Sequence, residues 1–133
     1  MDWAQRAAEL SHARRLKVGA VIVKDDIVIS YGYNGMPAGW DNNCEDEVCQ
    51  QDGTAGLKTK PEVLHAESNS IAKLAKSTNS GLDADLFVTH APCLDCAKLI
   101  YQSGIRRVYF GQAYRDNSGV EFLEKSGIKV NKL

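Results

Sequence analysis

The sequence carries almost no net charge. Sixteen Lys and Arg stand against 17 Asp and Glu, for a formal charge of −1 at neutral pH. A chain this close to neutrality exerts no general pull on nucleic acid or on an anionic membrane. Aromatic residues make up only 8%, few for a surface that stacks unpaired bases. Both features argue against a polynucleotide partner. No apolar run approaches the ~20 residues of a membrane span. The opening "MDWAQRAAEL" lacks the basic-then-apolar order of a secretory signal. The expected location is therefore the cytoplasm. There, the four cysteines read as thiols or metal ligands and not as disulfides. No internal repeat, linker or low-complexity segment interrupts the chain, so residues 1–133 read as one domain. With 44% hydrophobic and 25% charged residues, it has the composition and length to bury a core.

Trp3, Ala7, Leu10 and Ala13 recur at helical spacing, which predicts a first helix over about residues 2–15. Two β-branched runs, Val18–Val23 and Ile27–Tyr33, flank Asp25-Asp26 and predict a tight hairpin. Residues 34–62 are rich in Gly, Asn, Asp and Pro with little periodicity, and read as a long loop of the kind that carries function. "HAESNSIAKLAKS" resumes a helix with Ala66, Ser70, Ile71 and Leu74 on one face. The strand "ADLFVTH" follows, then the helix "CLDCAKLIYQSG" stopping at Gly104. The strand "RRVYFG", the helix "GVEFLEKSG" stopping at Gly127 and the strand "IKV" complete the pattern.

The order α-β-β-α-β-α-β-α-β implies an α/β fold, a three-layer α/β/α sandwich. Its five-stranded mixed sheet has an antiparallel first hairpin and parallel remaining strands joined through right-handed crossovers. Four features then meet at one sheet edge: Arg14–Lys17 before the first strand, "GYNG" after the second, the start of the His65 helix, and "APCLDC". Ligands of open α/β sheets bind beyond the carboxyl ends of the strands.

At that edge Cys93 and Cys96 lie one helical turn apart, where free N–H groups favour thiolates. His65 starts the neighbouring helix. One His and two Cys with a fourth position open is the ligand set of a catalytic zinc. Glu67 stands two residues on, placed to move a proton between water and a substrate nitrogen. Each feature alone has a plain reading: incidental or redox cysteines, an exposed histidine, a glutamate answering the helix dipole. Jointly, H-x-E followed by P-C-x-x-C after an intervening strand is the signature of zinc-dependent nucleobase deaminases.

"KVGAVIV", "SYGYNGMPAG", "VLHAESNSIAKLAK" and "APCLDCAKLIYQSGIRRVYF" resemble, in order, the cytidine deaminase superfamily and within it the deoxycytidylate (dCMP) deaminases. "GYNGMPAG" carries the resemblance to the dCMP branch. It implies hydrolysis of dCMP to dUMP and ammonia, with metal-activated water attacking C4 of cytosine and Glu67 moving protons to N3 and the leaving amine. Ala66 and the turn Thr89, Ala91 and Pro92 would frame the base. Asn34 would meet the 3′-hydroxyl, or else serve as a turn residue beside Gly35. Tyr114 would lie near sugar and phosphate, with Arg14, Arg15, Lys17 and Arg115 as candidate phosphate cations; Arg106 and Arg107 fall at the opposite edge. The resemblance further implies a homo-oligomer, a hexamer in many members, activated by dCTP and inhibited by dTTP. Gly32, Tyr33, Asn34 and Gly35 would form that nucleotide site, with Mg2+ accompanying the effector.

The family's "TLxPC" is "THAPC" here, which puts His90 near the zinc helix as a strand-end histidine or a group supporting the site. Cys44 and Cys49 are compatible with a second, structural zinc but lack an evident third and fourth ligand; exposed free thiols are the leading reading. Two rivals remain: a deaminase of a free nucleoside or polynucleotide, and a non-catalytic module in which all four cysteines bind zinc.

Overall fold

A computed structural model describes residues 1–133. The elements are α1 (Asp2–Ala8), β1 (Gly19–Lys24), β2 (Ile27–Tyr33), β3 (Glu45–Cys49), β4 (Ala55–Thr59), α2 (Ala66–Ala75), β5 (Asp85–His90), α3 (Leu94–Gln102), β6 (Arg107–Gln112), α4 (Ser118–Lys125) and β7 (Lys129–Lys132). Five strands form one sheet in the order β2-β1-β5-β6-β7, and β3 and β4 form a separate pair. β1 is antiparallel to both β2 and β5, while β5-β6 and β6-β7 are parallel. β2, β5, β6 and β7 therefore share one direction and end at the same edge.

Alternation along the strands sorts the helices. Ala20, Ile22, Leu86, Val88, Val108 and Phe110 pack with Ala66 and Leu74 of α2, Ala97 and Ile100 of α3, and Val120 and Leu123 of α4. Gly19 faces the other way, and a Cβ there would collide with the Ala4 carbonyl and the Ala8 amide of α1. Gly32 on β2 lets α2 approach equally closely, since a Cβ would strike the Ala66 carbonyl and the Ser70 amide. The sandwich thus has α1 on one face and α2–α4 on the other. No helix is long and apolar enough to cross a membrane.

The first hairpin turns at Asp25 and Asp26, both at positive φ (52° and 63°), as a two-residue turn requires. Gly104 and Gly127 follow α3 and α4, each at φ 84°, where a left-handed residue ends a helix without a Cβ penalty.

Two expectations are corrected. The first helix stops at Ala8, not near residue 15. Beyond it, side chains from elsewhere take the backbone donors that a longer helix would use internally: Ser11 Oγ accepts from Ala13 N–H, and the Glu45 carboxylate accepts from Arg14 and Arg15 N–H. Residues 34–62 are not one loop, because they contain the β3-β4 hairpin. Glu45, Asp46, Glu47 and Gly56 give it poor strand propensity, so no pattern announces it. The Asp52-Gly53 pair was the available signal. Asp52 Oδ1 accepts from Thr54 N–H at 3.0 Å across that turn.

Candidate active site

α2 is fixed to β2 by two side-chain hydrogen bonds, Ser30 Oγ donating to the Ser70 carbonyl (2.7 Å) and Asn69 Nδ2 to the Tyr33 carbonyl (2.8 Å), while within α2 Ser70 Oγ donates to the Glu67 carbonyl (2.7 Å). Just before the helix, Gly35 and Leu64 exchange a pair of backbone hydrogen bonds of 3.0 and 2.8 Å. His65 follows directly as the N-cap residue, and Cys93 is the N-cap residue of α3. Both helix starts therefore place these two candidate ligands at the same edge.

His65 Nδ1 lies 3.3 Å from Cys96 Sγ and 3.6 Å from Cys93 Sγ. All three donor atoms lie within 4.8 Å of one another. Bond lengths of ~2.3 Å to sulfur and ~2.0 Å to nitrogen place the ligands of a tetrahedral zinc roughly 3.5–3.8 Å apart. Donor chemistry and spacing both fit zinc. Cys44 and Cys49 join no such group. The expectation of exposed free thiols holds for Cys49, at the end of β3, but is corrected for Cys44, which is buried against Ala13 and Val63.

The charge pattern fits as well. Hydrogen bonds from Cys96 and then His65 hold the Cys93 thiol down at about 4, and the same contact with Cys93 raises His65. Cys96 is pushed upward, first by its hydrogen bond to Cys93 and then by burial. Two neighbouring sulfurs sharing one proton behave this way. A divalent cation between them favours the second thiolate as well. Glu67 is 4% exposed. Burial pushes its carboxyl up to about 7, while its own backbone N–H and His65 draw it back. A carboxyl poised there can accept and return a proton near neutral pH.

A cavity of about 170 Å³ opens above this group. Of the residues expected to bind substrate, Asn34, Ala66, Ala91 and Tyr114 line it, together with Arg15. Thr89 sits below, its Oγ1 accepting from Gly19 N–H and bonded to His90 Nδ1 at 2.9 Å. Pro92 is buried behind the wall, where its carbonyl meets Gly119 of α4. Arg115 is exposed outside the cavity. Arg14 is held by Asn43 Oδ1 at 3.0 Å, and Lys17 lines a different depression with Met1 and Gln112. Arg107 forks onto Asp85 at 2.8 and 2.9 Å, far from this edge in the sheet. Asn34 also braces the wall, accepting from Val18 N–H (2.9 Å) and donating to the Leu16 carbonyl (2.8 Å). Sequence reasoning missed Thr59 and Val63, which line the cavity from the β3-β4 side, because the hairpin itself was not legible.

A second cavity, about 410 Å³, lies between the "GYNG" loop and α2. Tyr33, Asn34 and Gly35 line it with His12, Lys73 and Lys76. Gly32 is buried against α2 instead.

Residues 1–112 match the model of the cytidine and deoxycytidylate deaminase zinc-binding region. The chain belongs to this deaminase family. Among curated relatives it is 38% identical to ComE operon protein 2 of Bacillus subtilis over 90% of its own length and 61% of that protein. It is 35% identical to the deoxycytidylate deaminase of Saccharomyces cerevisiae over all of its length and 43% of that protein. The chain thus spans about half the length of these deaminase relatives. A crystal structure of the dCMP deaminase from cyanophage S-TIM5, in complex with dCMP and dUMP, superimposes with a TM-score of 0.88 at 40% identity. That match covers 99% of this chain and 92% of the phage protein.

Proposed function

We propose that this chain catalyses the hydrolytic, zinc-dependent deamination of dCMP to dUMP and ammonia. The observation that carries the reading is the buried Glu67 beside the His65-Cys93-Cys96 triplet, at the base of a cavity that also presents Arg15. The phage dCMP deaminase with dCMP and dUMP bound supports the same substrate.

His65, Cys93 and Cys96 would hold the zinc, which supplies Lewis acidity that makes water a nucleophile at neutral pH. Glu67 takes the proton of the water that attacks C4 and delivers it to N3 of the ring. It then takes the proton of the new C4 hydroxyl and passes it to the amine, the C4–N4 bond breaks as the C4 carbonyl forms, and ammonia leaves. Ala66 and Ala91 frame the base, with Thr89 and Pro92 behind them. Asn34 and Tyr114 meet the sugar. Arg15 is the phosphate cation that lines the cavity, ahead of Arg14, Lys17 and Arg115. Loss of cytosine absorbance with dCMP, deoxycytidine, dCTP and a short oligonucleotide tests this reading. Preference for dCMP is expected; preference for the oligonucleotide or the free nucleoside overturns it.

The second cavity supports control by dCTP and dTTP. Its Lys73 and Lys76 would meet phosphates, with Mg2+ shielding them, against the Tyr33-Asn34-Gly35 backbone. Turnover at low dCMP should rise with dCTP and fall with dTTP; indifference to both contradicts it. Family resemblance carries the matching expectation of a homo-hexamer, which sedimentation measures.

A further inference from the structure

Arg15 sits on a segment, residues 12–17, in which no backbone–backbone hydrogen bond is made. Side chains alone hold it. Ser11 Oγ accepts from Ala13 N–H at 3.1 Å, and Asn34 brackets Leu16 and Val18. Between these brackets stands Glu45. Its two carboxylate oxygens each accept from Arg14 N–H at 2.9 Å, and Oε2 also accepts from Arg15 N–H at 3.3 Å. Glu45 is 1% exposed, and none of the chain's ion pairs involves it. A buried carboxylate costs stability unless hydrogen bonds compensate it, and here the compensation comes from the backbone of Arg14 and Arg15.

The same residue opens β3, where it pairs with Thr59 of β4, a residue of the cavity wall. Cys44 beside it packs on Ala13 and Val63. Glu45 thus joins the segment carrying the cation to the hairpin that closes the cavity.

We infer that Glu45 is a positioning residue that fixes Arg15 against the substrate phosphate and so sets the preference for a nucleotide over a nucleoside. The inference rests on the dCMP reading and adds a determinant to it. Without the carboxylate, the Arg14 and Arg15 amides lose their acceptor; Arg14 keeps its side-chain bond to Asn43 Oδ1, but nothing else holds the Arg15 backbone, and its guanidinium no longer meets a phosphate at a fixed place. The chemistry at Glu67 does not depend on that anchor.

The experiment measures kcat and KM for dCMP and for deoxycytidine in the wild type, Glu45→Ala, Glu45→Gln, Arg15→Ala and the double variant Arg15→Ala/Glu45→Ala. Glu45→Ala should lower the dCMP-to-deoxycytidine ratio of kcat/KM by on the order of 10- to 100-fold, mainly through the KM for dCMP. Glu45→Gln keeps one carbonyl acceptor and should lose less. The double variant should be no less selective than Arg15→Ala alone, because both changes remove one function. Equal losses for both substrates, or additive losses in the double variant, overturn the inference. If Glu45→Ala does not fold, Glu45→Gln decides by the same ratio. A wild type that turns over neither substrate refutes the dCMP reading itself, a result distinct from equal losses.

Discussion

The wall of the cavity that carries His65, Cys93 and Glu67 stands on helix N-termini stapled to strand ends, whereas the wall that carries Arg15 hangs on side-chain hydrogen bonds. The first wall inherits its geometry from the sheet. α2 lies on β2 through the Ser30–Ser70 and Asn69–Tyr33 bonds and the space above Gly32. The second has no ladder of its own, and its shape comes from the adjacent Ser11 and from Asn34 and Glu45 reaching in from distant parts of the chain. Under the proposed function, chemistry that must be exact to a fraction of an ångström would sit on the rigid wall, and recognition of an outlying charge on the adaptable one.

Changes on the rigid wall should have the largest effects. Cys96→Ser removes a buried sulfur from the triplet. It should abolish stoichiometric zinc and all turnover, measured by metal analysis and by the absorbance assay. A variant that retains zinc and activity removes Cys96 from the ligand set. Gly32→Val drives a side chain into the Ala66 carbonyl and the Ser70 amide. It should cost about 1–3 kcal/mol or more of folding stability, read by denaturant melts, and weaken zinc retention as α2 shifts.

Smaller effects are expected on the second wall. Ser11→Ala removes the acceptor of Ala13 N–H and the 2.7 Å donor to the Asn34 carbonyl. It should cost roughly 1–2 kcal/mol and raise the KM for dCMP with zinc content unchanged. If zinc is lost instead, the two walls are not separable.

His90 should give the smallest effect. Burial lowers its pKa below the ordinary 6.5, so the native state refuses a proton that the unfolded chain accepts. Between 6.5 and the lower native value the unfolded state binds more protons, and stability falls as pH falls. Above 6.5 there is no contribution. His90→Asn lacks this term, so its thermal midpoint should decline less than that of the wild type from pH 7 to pH 5. Parallel curves exclude the effect.

The same contrast explains what the sequence made legible. His65, Glu67, Cys93 and Cys96 could be read because helix starts, glycine stops and the β-branched runs Val18–Val23 and Ile27–Tyr33 are local signals. The topology then brings the strand ends together. Arg15 could be named only as one cation among several, because its placement depends on Glu45, 30 residues away in sequence. The β3-β4 hairpin stayed hidden for the same reason. Glu45 opens β3 while its carboxylate binds amides about 30 residues away, and those amides are not available to prolong the first helix toward residue 15. Long-range side-chain-to-backbone bonds leave no periodic trace.

Glu67 offers the most direct test of the mechanism. Glu67→Gln keeps the shape of the side chain and the three proposed zinc ligands but cannot carry a proton. Zinc content and kcat should be measured together on the wild type and this variant. One zinc per chain in both, with kcat reduced by about 10²- to 10⁴-fold in the variant, is the expected result. Near-normal turnover in zinc-loaded Glu67→Gln would refute Glu67 as the proton carrier, and with it the hydrolytic mechanism.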